Sequence, residues 1–214
     1  NMSHEIRTPL NAIVGFSSLL ANTEDVAEKE LYNSLISHNN ELLLNLVNDV
    51  LDLAKIESGY FELHPNWFNL TELLEESVAE YACQVPSGVE LRTNYPEQDF
   101  LVDLDRLRIK QVLNNFLSNA FKNTSFGYIE VFYEVASHYV RIGVRDTGGG
   151  IPQNMQDKIF ERFEKVDSFA QGAGLGLSIC KSIVDKMNGR ILIDSQLGAG
   201  STFVVELPCQ SVLA

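Results

Sequence analysis

The chain has 214 residues, 45% of them hydrophobic and 21% charged, with a formal net charge of −13. That composition suits one or two folded domains with a real core and excludes a disordered chain, while the acidic balance, with no Lys/Arg cluster to offset it, speaks against a nucleic-acid surface. No run approaches 18 uninterrupted apolar residues and no signal peptide opens the chain, so no membrane contact is expected within it. Cys83, Cys180 and Cys209 are widely spaced, odd in number and free of any CxxC pattern, which reads as buried or inert thiols of a reducing compartment.

Two helices are predicted first. Ile6, Leu10, Ile13 and Leu20 mark an apolar stripe that ends near Asn22-Thr23-Glu24-Asp25. From about Ala27 to Glu57, Leu31, Leu35, Leu42, Leu46, Val50, Leu53 and Ile56 follow a heptad-like seam. A helix of that length cannot bury its stripe on one short neighbour, so a dimer built as a four-helix bundle is expected. Gly59 and Pro65 stop the second helix. Beyond them the pattern is mixed: a helix from Leu70 to about Val85 capped by Asn69 or Thr71, short strands at Val89–Tyr95 and Phe100–Val102, and a helix at Asp105–Phe121. Strands at Tyr128–Ala136 and Tyr139–Arg145, turning at Ser137-His138, precede a helix at Gly174–Met187. A terminal hairpin of Arg190–Ser195 and Thr202–Leu207 closes around Gly198-Ala199-Gly200. This order indicates an α+β architecture and not alternating βαβ units. Phe61, Trp67 and Phe68 are expected to seed its core, and His38, His64 and His138 to be surface or packing residues.

The segment Asn1-Met2-Ser3-His4-Glu5-Ile6-Arg7-Thr8-Pro9-Leu10-Asn11 places a histidine where it can be a nucleophile. In a helix, Thr8 lies on the face of His4, one turn along. Glu5 can reach sideways to an imidazole nitrogen, which leaves the other nitrogen's lone pair outward with raised basicity. Pro9 removes an amide and should loosen the helix beside the histidine. The first residue already sits inside this motif, so the chain is expected to be a piece of something longer.

Three further motifs follow in order. Asn115, Asn119, Lys122 and Asn123 occupy one face of the Asp105 helix. Amide oxygens are hard neutral ligands suited to Mg²⁺, and Lys122 is a point charge for a phosphate, although a solvated polar face explains the same spacing. Next, Asp146-Thr147-Gly148-Gly149-Gly150-Ile151-Pro152 follows a strand directly. A carboxylate at a strand end can accept the exocyclic amine of adenine, and the glycines let a ring approach the backbone. Asp-Thr-Gly also occurs in aspartic proteases, but those pair two such carboxylates to share a proton, and this chain has one. Finally Gly172-Ala173-Gly174-Leu175-Gly176-Leu177 leads into a helix, where free amides and the helix dipole make an anion site. It lacks the dinucleotide fingerprint's spacing and preceding strand.

The ordered set resembles the catalytic core of a sensor histidine kinase of two-component signalling over nearly the whole chain. His4-Glu5-Ile6-Arg7-Thr8-Pro9 is similar to the family's phosphoacceptor box, Asn115 to Thr124 to its asparagine box, and Asp146-Thr147-Gly148-Gly149-Gly150 to its first glycine box. Ile159-Phe160-Glu161-Arg162-Phe163 resembles its phenylalanine box, Gly172–Leu177 its second glycine box, and Gly198-Ala199-Gly200-Ser201-Thr202-Phe203 a closing glycine motif. The resemblance implies a dimerisation and phosphotransfer hairpin at 1–60 and an ATP-binding α/β sandwich of the Bergerat type at 61–214, with a mixed, largely antiparallel sheet. It implies a histidine autokinase that uses ATP and Mg²⁺, acts as a homodimer through the hairpin, and passes the phosphoryl group to an aspartate of a response-regulator receiver, separate or fused. Phosphatase activity toward that regulator is a further implication.

By the same resemblance His4 receives the γ-phosphoryl group, Glu5 is its base or orienting partner, and Thr8 positions a water for regulator dephosphorylation. Asn119 with Asn115 holds Mg²⁺, Lys122 meets the phosphates, and Asp146 reads adenine in a pocket shaped by Gly148, Gly150 and Ile151. Gly172, Gly174, Leu175 and Gly176 line the phosphate side of a lid that should close around nucleotide, and Arg162 and Lys165 are its candidate cations. The fragment is expected to be cytoplasmic, with an inner-membrane anchor elsewhere in the parent protein left open. Two departures stand out. Asn123 replaces an aromatic that flanks nucleotide in many relatives, which should weaken stacking by roughly 1 kcal/mol, and Ala173 replaces a frequent threonine. A Bergerat-type ATPase without histidine phosphorylation, or an inactive dimeric phosphotransfer scaffold, are the competing readings.

Overall fold

The computed structural model describes residues 2–164 and 174–214. They fall into two compact units, one of residues 2–61 with 174–176 and a mixed α/β one of residues 62–164 with 177–214.

The first unit is a hairpin of α1 (Met2–Asn22) and α2 (Val26–Glu57). Asp25 starts α2: its carboxylate accepts the amides of Ala27, at 2.8 Å, and Glu28, at 3.1 Å, two donors that the first turn cannot satisfy internally. The rings of Phe16 and Tyr32 stack across the two helices, with centroids 6.2 Å apart. Helix α1 runs through Pro9, which is buried. Leu46 and Leu53 of the expected seam are buried, but Leu10 and Leu31 are exposed. Leu10 lies one turn from Val14, and Leu44, Val47 and Leu51 form a second exposed row on α2. The hairpin is therefore apolar on more of its circumference than the α1–α2 contact uses.

The second unit has two sheets. A five-stranded sheet runs in the order β2 (Val89–Asn94), β4 (Gly127–Ala136), β5 (Tyr139–Asp146), β7 (Gly200–Pro208), β6 (Arg190–Gln196). Its β2–β4 pair is parallel and the rest antiparallel. A small antiparallel sheet joins β1 (Asn66–Asn69), β3 (Phe100–Leu104) and β8 (Ser211–Leu213). Strand alternation decides the large sheet's inner face. Ile129, Val131 and Tyr133 of β4, Val140, Ile142 and Val144 of β5, and Phe203, Val205 and Leu207 of β7 are all buried. The outer face carries the charge pairs Arg145–Glu130 and Arg141–Glu206–Arg190.

Helices α3 (Leu70–Ala82), α4 (Arg106–Asn123) and α5 (Gly176–Lys186) complete the core. Phe116 of α4 meets Phe203 of β7 with ring centroids 5.3 Å apart, and Tyr81 of α3 stacks on Phe121 at 5.0 Å. Helix α3 stops at Ala82, short of Val85, because Pro86 disfavours helical backbone at the residue before it. Asn69 is its cap, accepting the amide of Glu72 at 3.3 Å. Strands β1 and β8, absent from the sequence reading, are four and three residues long, too short for a period of two to show. On β1 the alternation buries Phe68 and turns Trp67 outward at 47% exposure, so Trp67 is not a core seed.

Asp105 holds the start of α4. One carboxylate oxygen accepts the amide of Arg108 at 3.1 Å and the other accepts the amide of His64 at 2.8 Å, while the residue is only 5% exposed. Replacing a cap and leaving a part-buried amide unpaired costs about 2 kcal/mol. Asp105→Ala should lower the urea midpoint accordingly, with little change in slope; an unchanged midpoint would show that the cap is dispensable.

Candidate functional site

His4 is exposed on the first turn of α1, so its imidazole is reachable. Thr8 lies one turn on, and its hydroxyl donates to the His4 carbonyl at 3.1 Å, which leaves the Thr8 lone pairs outward and the imidazole untouched. Glu5 is half-buried and engaged.

On α4 the amides are ordered among themselves. Asn119 donates its Nδ2 to Asn115 Oδ1 at 3.2 Å, and Asn123 donates its Nδ2 to the Asn119 carbonyl at 2.7 Å. The two asparagines are thus unequal. Asn115 uses one lone pair of its oxygen to hold Asn119, which leaves Asn119 Oδ1 for a ligand and Asn115 Oδ1 with a second lone pair. One hard oxygen at a half-buried position suits Mg²⁺, which keeps several waters and takes phosphate oxygens for the rest of its shell. Among the described residues no three His, Cys, Asp or Glu side chains converge as a metal cage. Lys122 is exposed and engaged.

Asp146 ends β5 and is 7% exposed. It accepts the Gly148 amide on Oδ1 at 2.8 Å. Burial pushes its carboxyl above the usual aspartate value, only partly offset by that amide and the backbone of Ser201. Gly148 must lack a side chain because a Cβ there would strike the Asn123 carbonyl oxygen. Gly150 has φ +68, and a Cβ would strike the Gln196 carbonyl oxygen. The glycine loop is therefore pressed between the end of α4, where Asn123 O accepts the Gly149 amide at 3.3 Å, and the β6–β7 turn, where the Gly198 amide donates to Gly149 O at 2.7 Å. Ile151, half-buried, continues this loop.

Gly174 has φ +67, Leu175 is fully buried, and Gly176 opens α5 two residues later than the sequence suggests. Arg162 is exposed and engaged. Beside it Phe163 sits at φ 64, a conformation that a bulky residue adopts only under constraint. Lys165, Gly172 and Ala173 lie outside the described residues. The structure thus brings Asn115, Asn119, Asn123, Asp146, Gly148, Gly150 and Ile151 into one unit, while His4, Glu5 and Thr8 belong to the hairpin. Thr147 gains a role that a glycine motif hides. Its hydroxyl accepts the Tyr128 amide at 2.9 Å and anchors the strand beside Asp146. Ser195 and Gln156, which also hold this loop, carried no sequence signal. The cysteines are mixed: Cys180 is buried, Cys83 exposed, and burial raises the Cys209 thiol to about 11.

The profile of the histidine kinase-, DNA gyrase B- and HSP90-like ATPases matches residues 104–211, and that of the His Kinase A (phospho-acceptor) domain matches residues 1–59. The chain belongs to the sensor histidine kinases. It is 36% identical over 97% of its length to the autoinducer 2 sensor kinase/phosphatase LuxQ of Vibrio harveyi, covering 26% of that protein. It is 34% identical over 98% of its length to the sensor protein EvgS of Escherichia coli K12, covering 18% of it. The chain therefore spans about a quarter or less of these curated relatives. Full-length ShkA, solved in complex with AMPPNP, superposes over 99% of this chain and 45% of its own, with a TM-score of 0.77 and 32% identity. The histidine kinase ThkA, solved with the response regulator TrrA, superposes over 96% of this chain and 59% of its own, at a TM-score of 0.73 and 30% identity. No helix among the described residues is long and apolar enough to cross a membrane.

A carboxylate whose folded-state pKa is raised stabilises the fold at low pH and loses that contribution as pH rises through the folded value. Asp146→Asn should therefore melt higher than wild type at pH 7, and the gap should close as the pH falls below the ordinary aspartate range. A gap that widens on acidification would contradict the burial argument.

Proposed function

We propose that this chain is the kinase core of a two-component sensor: it transfers the γ-phosphoryl group of ATP to His4 and passes it to an aspartate of a response-regulator receiver domain. The single observation that carries the reading is the pairing of an exposed, helix-borne His4 with a buried, amide-held Asp146 in a chain that matches both family profiles.

Each residue has a task within that reaction. Asp146 accepts the adenine exocyclic amine, and the glycine backbone around Gly148 and Gly150 lets the ring lie against the loop. Asn119 offers the metal an oxygen while Asn115 fixes that amide's orientation, and Lys122 and Arg162 supply charge near the phosphates. Gly174, Leu175 and Gly176 lie at the start of α5, where the helix dipole favours an anion. Bound Mg²⁺ supplies charge neutralisation of the phosphate oxygens. The His4 imidazole nitrogen attacks the γ-phosphorus, the bond from phosphorus to the β–γ bridging oxygen breaks, and ADP leaves. Glu5 takes the proton that the imidazole sheds. Phosphoryl transfer needs little else, since alignment and charge stabilisation carry most of its catalysis. The aspartate of the receiver then takes the phosphoryl group, and the imidazole recovers its proton. Thr8, with its lone pairs outward, is suited to orient a water in the reverse, dephosphorylating role.

The exposed rows Leu10–Val14 and Leu44–Val47–Leu51 support a homodimer in which two hairpins form a four-helix bundle. A cytoplasmic position for this portion belongs to the same reading.

Incubation with γ-labelled ATP and Mg²⁺ should give protein-bound label that is lost in acid, retained in base, and missing from His4→Gln. Label that persists in His4→Gln would overturn the assignment, and nucleotide hydrolysis without any protein label would favour an ATPase. Asn123→Tyr should tighten ATP binding about fivefold, the worth of one aromatic contact. The Asn123 side chain is exposed and donates to the Asn119 carbonyl; equal affinities in a fluorescent-nucleotide titration would end that idea.

A further inference from the structure

The loop that carries Gly148–Ile151 is fastened by a serine hydroxyl that belongs to another strand. Ser195 Oγ of β6 accepts the Ile151 amide at 2.8 Å, donates to the Gly200 carbonyl at 3.0 Å, and lies 2.9 Å from Ser201 Oγ. A hydroxyl has one proton and two lone pairs. A carbonyl can only accept, so with the Ser195 proton on Gly200 O it is Ser201 that donates in the serine–serine contact, which either hydroxyl could otherwise supply. Gln156 reinforces the same joint: its Nε2 donates to the Ile151 carbonyl at 3.2 Å and to the Ser195 carbonyl at 2.8 Å.

That commitment has a consequence for Ser201. It pairs directly with Asp146 across β5 and β7 and is 7% exposed. With its proton drawn toward Ser195, Ser201 Oγ offers its surroundings lone pairs only. Beside it stands the Asp146 carboxylate, itself an acceptor. Both polar side chains at this strand pair therefore ask for a donor. An amino group answers both, whereas a base with a carbonyl at that position would meet acceptors alone.

We propose that Ser195 is a positioning and specificity-determining residue: it locks the Ile151 backbone and holds the Ser201 hydroxyl as an acceptor, so that the base site selects 6-amino over 6-oxo purine nucleotides. This rests on the nucleotide-binding reading above. Ser195 touches no reacting atom and acts through Ser201 and Ile151. Removing its oxygen frees the Ser201 proton to rotate outward and donate, and it leaves the Ile151 amide without its acceptor.

The test is calorimetric binding of Mg-ATP and Mg-GTP to the whole chain as wild type, Ser195→Ala and Ser195→Thr, with autophosphorylation kcat and KM for ATP measured in parallel. Ser195→Ala should weaken ATP by about tenfold, the worth of one hydrogen bond in a buried setting, while GTP weakens less or tightens, so that the ATP/GTP ratio falls. The loss should fall on KM rather than kcat, and Ser195→Thr, which keeps the hydroxyl, should restore the ratio. Equal losses for both nucleotides, no loss at all, or a Thr variant that behaves like Ala would overturn the proposal. Wild-type chain that binds neither nucleotide would instead refute the nucleotide-site reading itself.

Discussion

Backbone pressed against backbone where no side chain can fit is the constraint on which the second unit's site depends. Gly148 lies on the Asn123 carbonyl and Gly150 on the Gln196 carbonyl, so α4, the loop after β5 and the β6–β7 turn meet with no side chain between them. The amides of Gly149 and Gly198 convert that proximity into hydrogen bonds, to Asn123 O and Gly149 O respectively. Because these elements are locked, Asp146 can be held under burial with an amide on its carboxylate, and the α4 asparagines stand at a fixed place relative to it. A scaffold this tight is what positioning catalysis requires, since the chemistry of phosphoryl transfer leaves the protein little else to contribute.

The electrostatics run against the chain's overall sign. A net charge of −13 would repel a triphosphate, so recognition must come from local groups that outweigh the overall sign. Under the proposed function the nucleotide meets the α4 amide oxygens, Lys122 and Arg162, while the amides of Gly148 and Gly149 are taken up within the loop by Asp146 Oδ1 and Asn123 O. The site's one buried carboxylate carries a desolvation cost, which is consistent with stability being given up for base recognition. The hairpin obeys a different economy. Its proposed chemistry needs only an exposed imidazole, and its surplus apolar surface fits the proposed dimer.

Much of this was legible in the sequence for identifiable reasons. Long helices such as α2 and α4 announce themselves through period and caps, and the glycine motifs through residues that only a turn or close approach requires. What stayed hidden was either short or relational. Strands β1 and β8 have too few residues to alternate, so Trp67 read as core until β1 showed which way it faces. Asn119 read as a metal ligand with Asn115 nearby, and only their mutual hydrogen bond shows Asn115 holding the Asn119 amide. Ser195 and Gln156 are ordinary residues in sequence, and their roles exist only once β6, β7 and the glycine loop are side by side. Leu10 of the α1 stripe is exposed, and an apolar residue that would face a second hairpin looks the same in one dimension as one that packs at home.

The central claim is that the phosphoryl group comes to rest on one imidazole. The most direct measurement is tandem mass spectrometry, at neutral pH, of peptides from the chain after incubation with Mg-ATP. The account predicts a phosphoramidate on His4 and unmodified imidazoles at His38, His64 and His138. An unmodified His4 alongside free inorganic phosphate, or a phosphoryl group fixed to any other residue, would contradict it.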